Sequence, residues 1–302
     1  MMKKIVSLSL ALLLALSLTA CGSKQEAPAP AEPPVQETPV QEEAPAASVE
    51  APVTTRIAAL KGPTAMGLVK LMSDAPHSAD GPMYDFTLAG AADEVTPSLI
   101  KGDLDMACVP ANLASVLYNK TEGEIITLAV NTLGVIYIVE NGNAVQSVAA
   151  LAAGSATIAL LPQPFVTVAQ TKIDGLRMAL DLTAEWDALD NGSGMITGVV
   201  VARKSFVEEH PAAVGAFLQN YAASVNWANS NNADAAQLIS QYGIVEAAPV
   251  AEKALPYCNI VCITGEEMRE KLSGYLQVLF DANPTSVGGK LPGDDFYYSS
   301  NA

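Results

Sequence analysis

From Arg56 onward the apolar positions change period repeatedly along the chain. Arg56-Ile57-Ala58-Ala59-Leu60 is a short apolar run of the kind a buried strand shows, and Lys61-Gly62-Pro63-Thr64 after it reads as a turn. From Ala65 to Ser73 the spacing becomes helical, with Met66, Leu68, Val69 and Met72 recurring on one side, and Thr64 stands where it would cap that helix. Tyr84 to Leu88 alternates like a second strand, Glu94 to Lys101 is helical, Asp105 to Val109 is a third strand, and Asn112 to Tyr118 begins another helix. Strand and helix in alternation predict an α/β fold with a mostly parallel sheet covered on both faces.

The second half repeats the pattern less regularly. Leu133 to Glu140 contains the apolar strand Val135-Ile136-Tyr137-Ile138-Val139, and Gly198 to Ala202 is another strand before a run of helices. Ser205 with Glu208, and Thr264 with Glu267, have the spacing of capping boxes. Val214, Phe217, Leu218, Tyr221 and Val225 form one apolar stripe and Met268, Leu272, Tyr275, Leu276 and Leu279 another, both read as core. Leu99 to Pro110 and Leu151 to Pro162 share Leu, Gly, Ala and Pro at a constant offset of 52 residues. Each reads as a helix ending at glycine, a buried strand, and a proline that stops it. Two lobes built alike would follow, with ligand groups gathered beyond the strand ends.

The N-terminal part is organised differently. Lys3 and Lys4 precede an apolar segment, Ile5 to Leu18, which ends in Leu18-Thr19-Ala20-Cys21. A charged start, an apolar middle and small residues before a cysteine have the form of a signal peptide with a lipoprotein cleavage site, predicting lipidation at Cys21. Gly22 to Thr55 holds seven of the nineteen prolines, six glutamates and one lysine, without an aromatic residue. Such a stretch cannot bury enough apolar surface to offset its ordering entropy and is expected to be an extended linker. The net charge of −16 and the lack of any basic cluster after the signal argue against nucleic acid. Cys108 lies in an apolar run and Cys258 and Cys262 are read as free thiols rather than a bridge. His77 and His210 are far apart, neither has ligand spacing to another donor, and no metal or other cofactor is expected. Asp103 and Asp105 are expected to face solvent at a turn, and Arg177, Arg203 and Arg269 to lie on the surface.

Leu60-Lys61-Gly62-Pro63-Thr64, Leu133-Gly134-Val135-Ile136-Tyr137, Leu161-Pro162-Gln163-Pro164, Ala251 to Cys258 and Ser286 to Pro292 resemble substrate-binding lipoproteins of bacterial ABC importers, in the nitrate/sulfonate/taurine class that also includes binders of thiamine-precursor pyrimidines. The similarity runs from Arg56 to Tyr298. It implies a type II periplasmic-binding-protein fold whose two lobes close on a small-molecule solute and deliver it to a membrane permease, with a lipid anchor and without catalysis. One departure stands out. Asn143 to Pro162 offers 20 residues where the first lobe uses 55, Arg56 to Pro110, so the second lobe is expected to be shortened and part of its sheet uncovered. The implied organisation is a signal peptide at 1–20, a lipidated cysteine and linker at 21–55, one lobe from 56–132 with 204–302, and a second from 133–203. Expected ligand-binding positions are Thr64, Ala65 and Met66 at the first helix start, Pro110, Ala111 and Asn112 after the third strand, and Gln163, Pro164 and Phe165 at the echoed position. Two alternatives remain at this level: a paralogue that has lost transport, and an enzyme on the same fold with Cys108 as its nucleophile.

Overall fold

The computed structural model describes residues 53–75, 83–141 and 158–299, all within the compact unit Val49–Ala302. Cys21, the signal segment, most of the linker and the first half of the second echo lie outside the described residues. The strands are β1 (Thr54–Leu60), β2 (Met83–Ala89), β3 (Met106–Pro110), β4 (Ile125–Leu133), β5 (Ile136–Glu140), β6 (Ile158–Pro162), β7 (Arg177–Asp181), β8 (Ile196–Arg203) and β9 (Ile260–Ile263). They form a six-stranded sheet in the order β2-β1-β3-β8-β4-β9 and a three-stranded sheet in the order β6-β5-β7. The first strand begins at Thr54, two residues before the expected start of the folded part at Arg56, since Thr54 and Thr55 pair with Met83 and Tyr84 and Thr55 is fully buried.

The fold is α/β and two-sheeted, but strand direction departs from the mostly parallel expectation. Among the described strands the parallel pairings are β1 with β2 and β1 with β3, connected through the helices Val69–Asp74 and Ala92–Lys101. β8 is antiparallel to both β3 and β4, because it re-enters the large sheet from the small one. In the small sheet β6 and β7 are both antiparallel to β5 and lie on either side of it. The short helix Phe165–Gln170 carries the chain between them.

Val199 to Val201, expected in the second lobe, instead sit at the centre of the large sheet between β3 and β4. The reason is in their side chains. A strand apolar on successive positions needs cover on both faces, and only the six-stranded sheet has it. Ile57, Met106, Cys108, Val200 and Ala202 point to one core, with Phe217, Tyr221 and Val225 of the helix Pro211–Ser230. Ala58, Ala107, Val109, Val199 and Val201 point to the other, with Leu99, Leu117, Met268, Leu272 and Leu276. Both predicted helical stripes are therefore core, although neither predicted capping box forms a side-chain cap. The first helix is broken into Pro63–Met66 and Val69–Asp74. Gly67 lies so close to the long helix that an added Cβ would be 2.7 Å from the Tyr221 hydroxyl oxygen. Ser224 there donates to the Gly67 carbonyl at 2.6 Å and accepts from the Leu71 N–H at 3.1 Å.

Among the described residues the small sheet has half as many strands as the large one, and one of its faces is packed by described side chains. Tyr137, Val139, Ala159 and Leu161 pack on Val166, Ala169 and Leu176. The opposite face presents Ile158, Leu160 and Leu180, of which Leu160 is 61% exposed.

Two charged residues are placed otherwise than expected. Asp105 is 2% exposed rather than solvated. Its Oδ2 accepts from the Arg56 backbone N–H and Nε, both at 2.9 Å, and its Oδ1 from Arg56 Nη2 at 2.6 Å and Arg203 Nη2 at 3.0 Å. Arg203 is correspondingly not a free surface residue, and also donates from Nε to the Leu104 carbonyl at 3.1 Å. A buried carboxylate at the start of a strand is tolerable only with such partners.

Candidate functional site

The chain passes from β4 to β5 through Gly134 and Val135 and returns to β8 after the helix Leu182–Asp187. The first passage, at Val135, lies with the turn after β1, the turn after β6, Thr132 of β4, Thr197 of β8 and Ile244 around a cleft of about 400 Å3. That size falls in the range of small-molecule sites. Its walls are Leu60, Lys61, Gly62, Pro63 and Thr64 from the first turn, Pro162, Gln163, Pro164 and Phe165 from the second, and Thr132, Val135, Thr197 and Ile244.

Close packing at one glycine builds the floor. A Cβ added at Gly198 would be 2.4 Å from Asn131 Oδ1, 2.6 Å from Thr64 Cγ2 and 3.1 Å from Thr132 Oγ1. Only a residue without a side chain lets these three groups meet over β8. Asn131, fully buried, donates from Nδ2 to the Thr64 carbonyl at 3.3 Å and accepts from the Thr132 hydroxyl at 3.0 Å. The Thr64 hydroxyl donates to the Leu60 carbonyl at 2.9 Å and the Thr197 hydroxyl to the Leu133 carbonyl. Thr64 is thus not the helix cap that its position suggested. Gly62 occupies the N-cap position, with φ of 128°, and makes no side-chain cap bond.

On the opposite wall Gln163 is 2% exposed. Its Oε1 accepts from the Thr167 hydroxyl at 2.9 Å and the Thr167 N–H at 3.4 Å, leaving Nε2 buried without a partner. Phe165 next to it is 58% exposed, an aromatic ring held at the cleft rather than in the core. Among the described residues of the lining Lys61 is the only charged side chain, and it is exposed.

The expected site residues divide accordingly. Thr64, Gln163, Pro164 and Phe165 converge on the cleft. The side chains of Ala65 and Met66 are fully buried in the core and are not among the residues lining the cleft. Pro110, Ala111 and Asn112 do not line it: Pro110 ends β3, Ala111 is buried at the helix start, and Asn112 Nδ2 donates to the Ser286 carbonyl at 3.4 Å. The echo holds for the strand-ending prolines, but Pro110 and Pro162 end strands set differently in different sheets, which is why only Pro162 reaches the cleft. Leu60, Lys61, Gly62, Pro63 and Pro162, in the same two turns, and Thr132, Val135, Thr197 and Ile244 were missed. Thr132 and Thr197 interrupt apolar strands with hydroxyls, the one signal available for them.

Cys108 is fully buried, and burial pushes its thiol up to about 12, partly offset by a hydrogen bond with Asn131. A thiol so held is not a nucleophile at neutral pH. Burial likewise pushes Cys258 up to about 12 and Cys262 to about 11, and Cys108, Cys258 and Cys262 are all free. Among the described residues no group of three or more His, Cys, Asp or Glu is placed to hold a metal ion.

No protein-family model and no curated protein matches the sequence. Solved structures do match. An ABC transporter protein from Parabacteroides distasonis superposes with a TM-score of 0.71 at 21% identity, over 82% of this chain and 99% of that one. The periplasmic aliphatic sulphonate binding protein SsuA from Escherichia coli gives 0.63 at 13% identity, over 82% and 93%. The ligand binding component of an ABC-type import system from Staphylococcus aureus, solved with zinc bound, gives 0.59 at 15% identity, over 82% and 97%. At these identities the likeness is one of fold, and the described chain has the lobed α/β fold of the solute-binding proteins of ABC importers.

Proposed function

We propose that this protein is an extracytoplasmic solute-binding lipoprotein that captures a small molecule between its two sheets and delivers it to an ABC permease. The observation that carries the reading is the cleft itself, where turns from both sheets meet around Thr64, Thr197, Gln163 and Phe165. A fold of this kind binds by closing two lobes on a solute, and the two crossing segments, at Gly134–Val135 and ahead of Ile196, are the natural hinge. The sequence supports an export signal at 1–20, a lipid anchor on Cys21 and a linker that holds the module off the membrane surface. Among the described residues no helix is long and apolar enough to cross a membrane.

The test is ligand-dependent stabilisation of the module from residue 22 onward by a pool of small metabolites. A solute at a hundred times its Kd adds about 2.7 kcal/mol of stability. Absence of any shift would overturn the reading. Cys21→Ser, expressed with its signal, should no longer partition with the membrane; an anchored variant would remove the lipoprotein part. A second reading, a paralogue that keeps the tether and has lost transport, is favoured by the bare face of the three-stranded sheet with Leu160 exposed. The same thermal assay separates the two.

A further inference from the structure

The stretch from Leu255 to Ile260 faces two ways. Leu255, Cys258 and Ile260 are buried in one core of the large sheet. Tyr257 and Asn259, set between them, meet the small sheet and its entry. The Tyr257 carbonyl accepts from the Tyr137 hydroxyl at 2.9 Å, and the two rings meet edge-on with centroids 6.3 Å apart. Asn259 bonds twice to the crossing from β4 to β5. Its carbonyl accepts from the Leu133 N–H at 3.1 Å, and its Nδ2 donates to the Gly134 carbonyl at 2.6 Å. Its φ of 45° lies in the left-handed region, which asparagine tolerates better than most side chains. One residue thus takes the turn and supplies the donor.

The residue so gripped is where the two passages between the sheets touch. A Cβ on Gly134 would collide with Thr183 Oγ1 and Met195 Sδ, both on the return passage to β8. One residue further on, the Val135 carbonyl accepts from the Gln163 N–H at 2.9 Å. The turn that carries Pro164 and Phe165 to the cleft is thereby tied to the same crossing. Asn259 is connected to that wall through two hydrogen bonds and one peptide link. Hydrogen bonds weaken steeply once stretched or bent, whereas apolar contacts can slide. The bonds at Gly134 and Tyr137 therefore favour one angle of the small sheet over others.

Resting on the solute-binding reading above, we propose that Tyr257–Asn259 is a clasp that fixes the angle between the two sheets, with Asn259 as the positioning residue of the cleft. Asn259 is not among the residues lining the cleft. It acts through Gly134 and Val135, setting how far the wall of Gln163 and Phe165 stands from the wall of Thr64 and Thr197. Loosening the clasp leaves both sheets folded and lets the small one take other angles. The equilibrium between arrangements is then set in part at a point outside the cleft.

The test reads the distance between the sheets by pulsed electron resonance, in the chain from residue 22 onward and without solute. Spin labels go on Lys101→Cys, at the end of a large-sheet helix, and Lys172→Cys, just past the small-sheet helix, both exposed positions. The chain without these substitutions sets the background from native thiols. Asn259→Gly keeps the left-handed turn and removes the donor, and Tyr137→Phe removes the second bond alone. Losing one such bond shifts an equilibrium about tenfold. A second distance populated at about 5% should then rise to about a third in Asn259→Gly, and further when Tyr137→Phe is added. Melting temperatures establish that the variants fold. A residue that only stabilises the fold would lower the melting temperature and leave the distances unchanged, and that result overturns the proposal. Because no solute is present, such a result leaves solute capture standing. Absence of any stabilisation by the metabolite pool removes capture, whatever the distances show.

Discussion

Asp105→Ala tests whether the ends of the central strands β1, β3 and β8 are held by charge or by packing. The carboxylate receives four hydrogen bonds, three from Arg56 and one from Arg203, and its side chain is 3% exposed. Breaking a buried pair by removing one partner costs about 3–5 kcal/mol, because the survivor is left uncompensated. Here the survivors are not sealed in. The side chains of Arg56 and Arg203 are 40% and 25% exposed, so water can reach both guanidinium groups. The backbone N–H of Arg56 also loses its acceptor, at the strand that organises β2 and β3. Solvation of the arginines places the expected loss at the lower end, about 3 kcal/mol. For a module of this size that is about 6–12 °C of melting temperature.

The same carboxylate has a pH signature. Burial pushes the Asp105 carboxyl upward, but the Arg56 and Arg203 hydrogen bonds outweigh it and hold the group below its ordinary range. A lowered folded value means that its stabilisation is fully present above the unfolded pKa, about 3.9, and is lost as pH falls through the folded one. The gap between wild type and Asp105→Ala should therefore be constant from pH 7 down to about pH 4 and narrow below that. Urea midpoints followed by circular dichroism at several pH values measure it. A loss under about 1 kcal/mol, or a gap unchanged at the acid end, would refute the assignment of this cluster as a structural clasp.

Gly198→Ala forces Asn131 and Thr64 aside and should cost about 1–3 kcal/mol, whereas Gly215→Ala, with open space around its Cβ, should stabilise by about 0.4–1 kcal/mol in parallel melts. Cys108, Cys258 and Cys262 should resist a thiol reagent at pH 8 until urea is added, since burial holds all three well above their ordinary value. Stability is accordingly full below the unfolded thiol pKa of about 8.5 and is lost as pH rises from there toward the folded values. Leu160→Lys, on the bare face, should change stability by less than about 0.5 kcal/mol, while Val139→Ala on the covered face of the same sheet should cost about 1–3 kcal/mol. Equal effects at both positions would mean that the face is covered in solution.

The fold was legible where local pattern and tertiary environment agree. Strands β1, β2 and β3 and the helices between them follow hydrophobic period alone, because each βα unit is contiguous in sequence. β8 was legible as a strand and not by its sheet. An apolar run specifies burial on both faces, but which sheet supplies that burial depends on where the chain re-enters, a non-local fact. Asp105 misled for a related reason. A carboxylate beside a strand start reads as solvated unless its partners are known, and Arg56 and Arg203 lie 49 and 98 residues away. Half the cleft was legible for the opposite reason. Gly62-Pro63-Thr64 and Pro162-Gln163-Pro164 are turn signals that mark strand ends, where ligands collect. Thr132 and Thr197 lie inside strands and become wall residues only because Gly198 brings β8 and β4 into contact with the first turn.

That arrangement ties recognition to the weaker part of the molecule. A three-stranded sheet with one covered face is stable only by packing on something else, and here it leans on the large lobe at a few specific points. The Tyr137 hydroxyl donates to the Tyr257 carbonyl at 2.9 Å, Asn259 Nδ2 to the Gly134 carbonyl at 2.6 Å, and the Trp186 and Tyr275 rings meet at 5.6 Å. Gln163 and Phe165 belong to that small sheet's turn, whereas Thr64, Thr132 and Thr197 belong to the large one. A solute in the cleft is then one more bridge between a firm platform and a marginal flap. Under the proposed function, its binding energy would act on the contacts between the two sheets, where a ligand that favours the closed arrangement shifts the equilibrium.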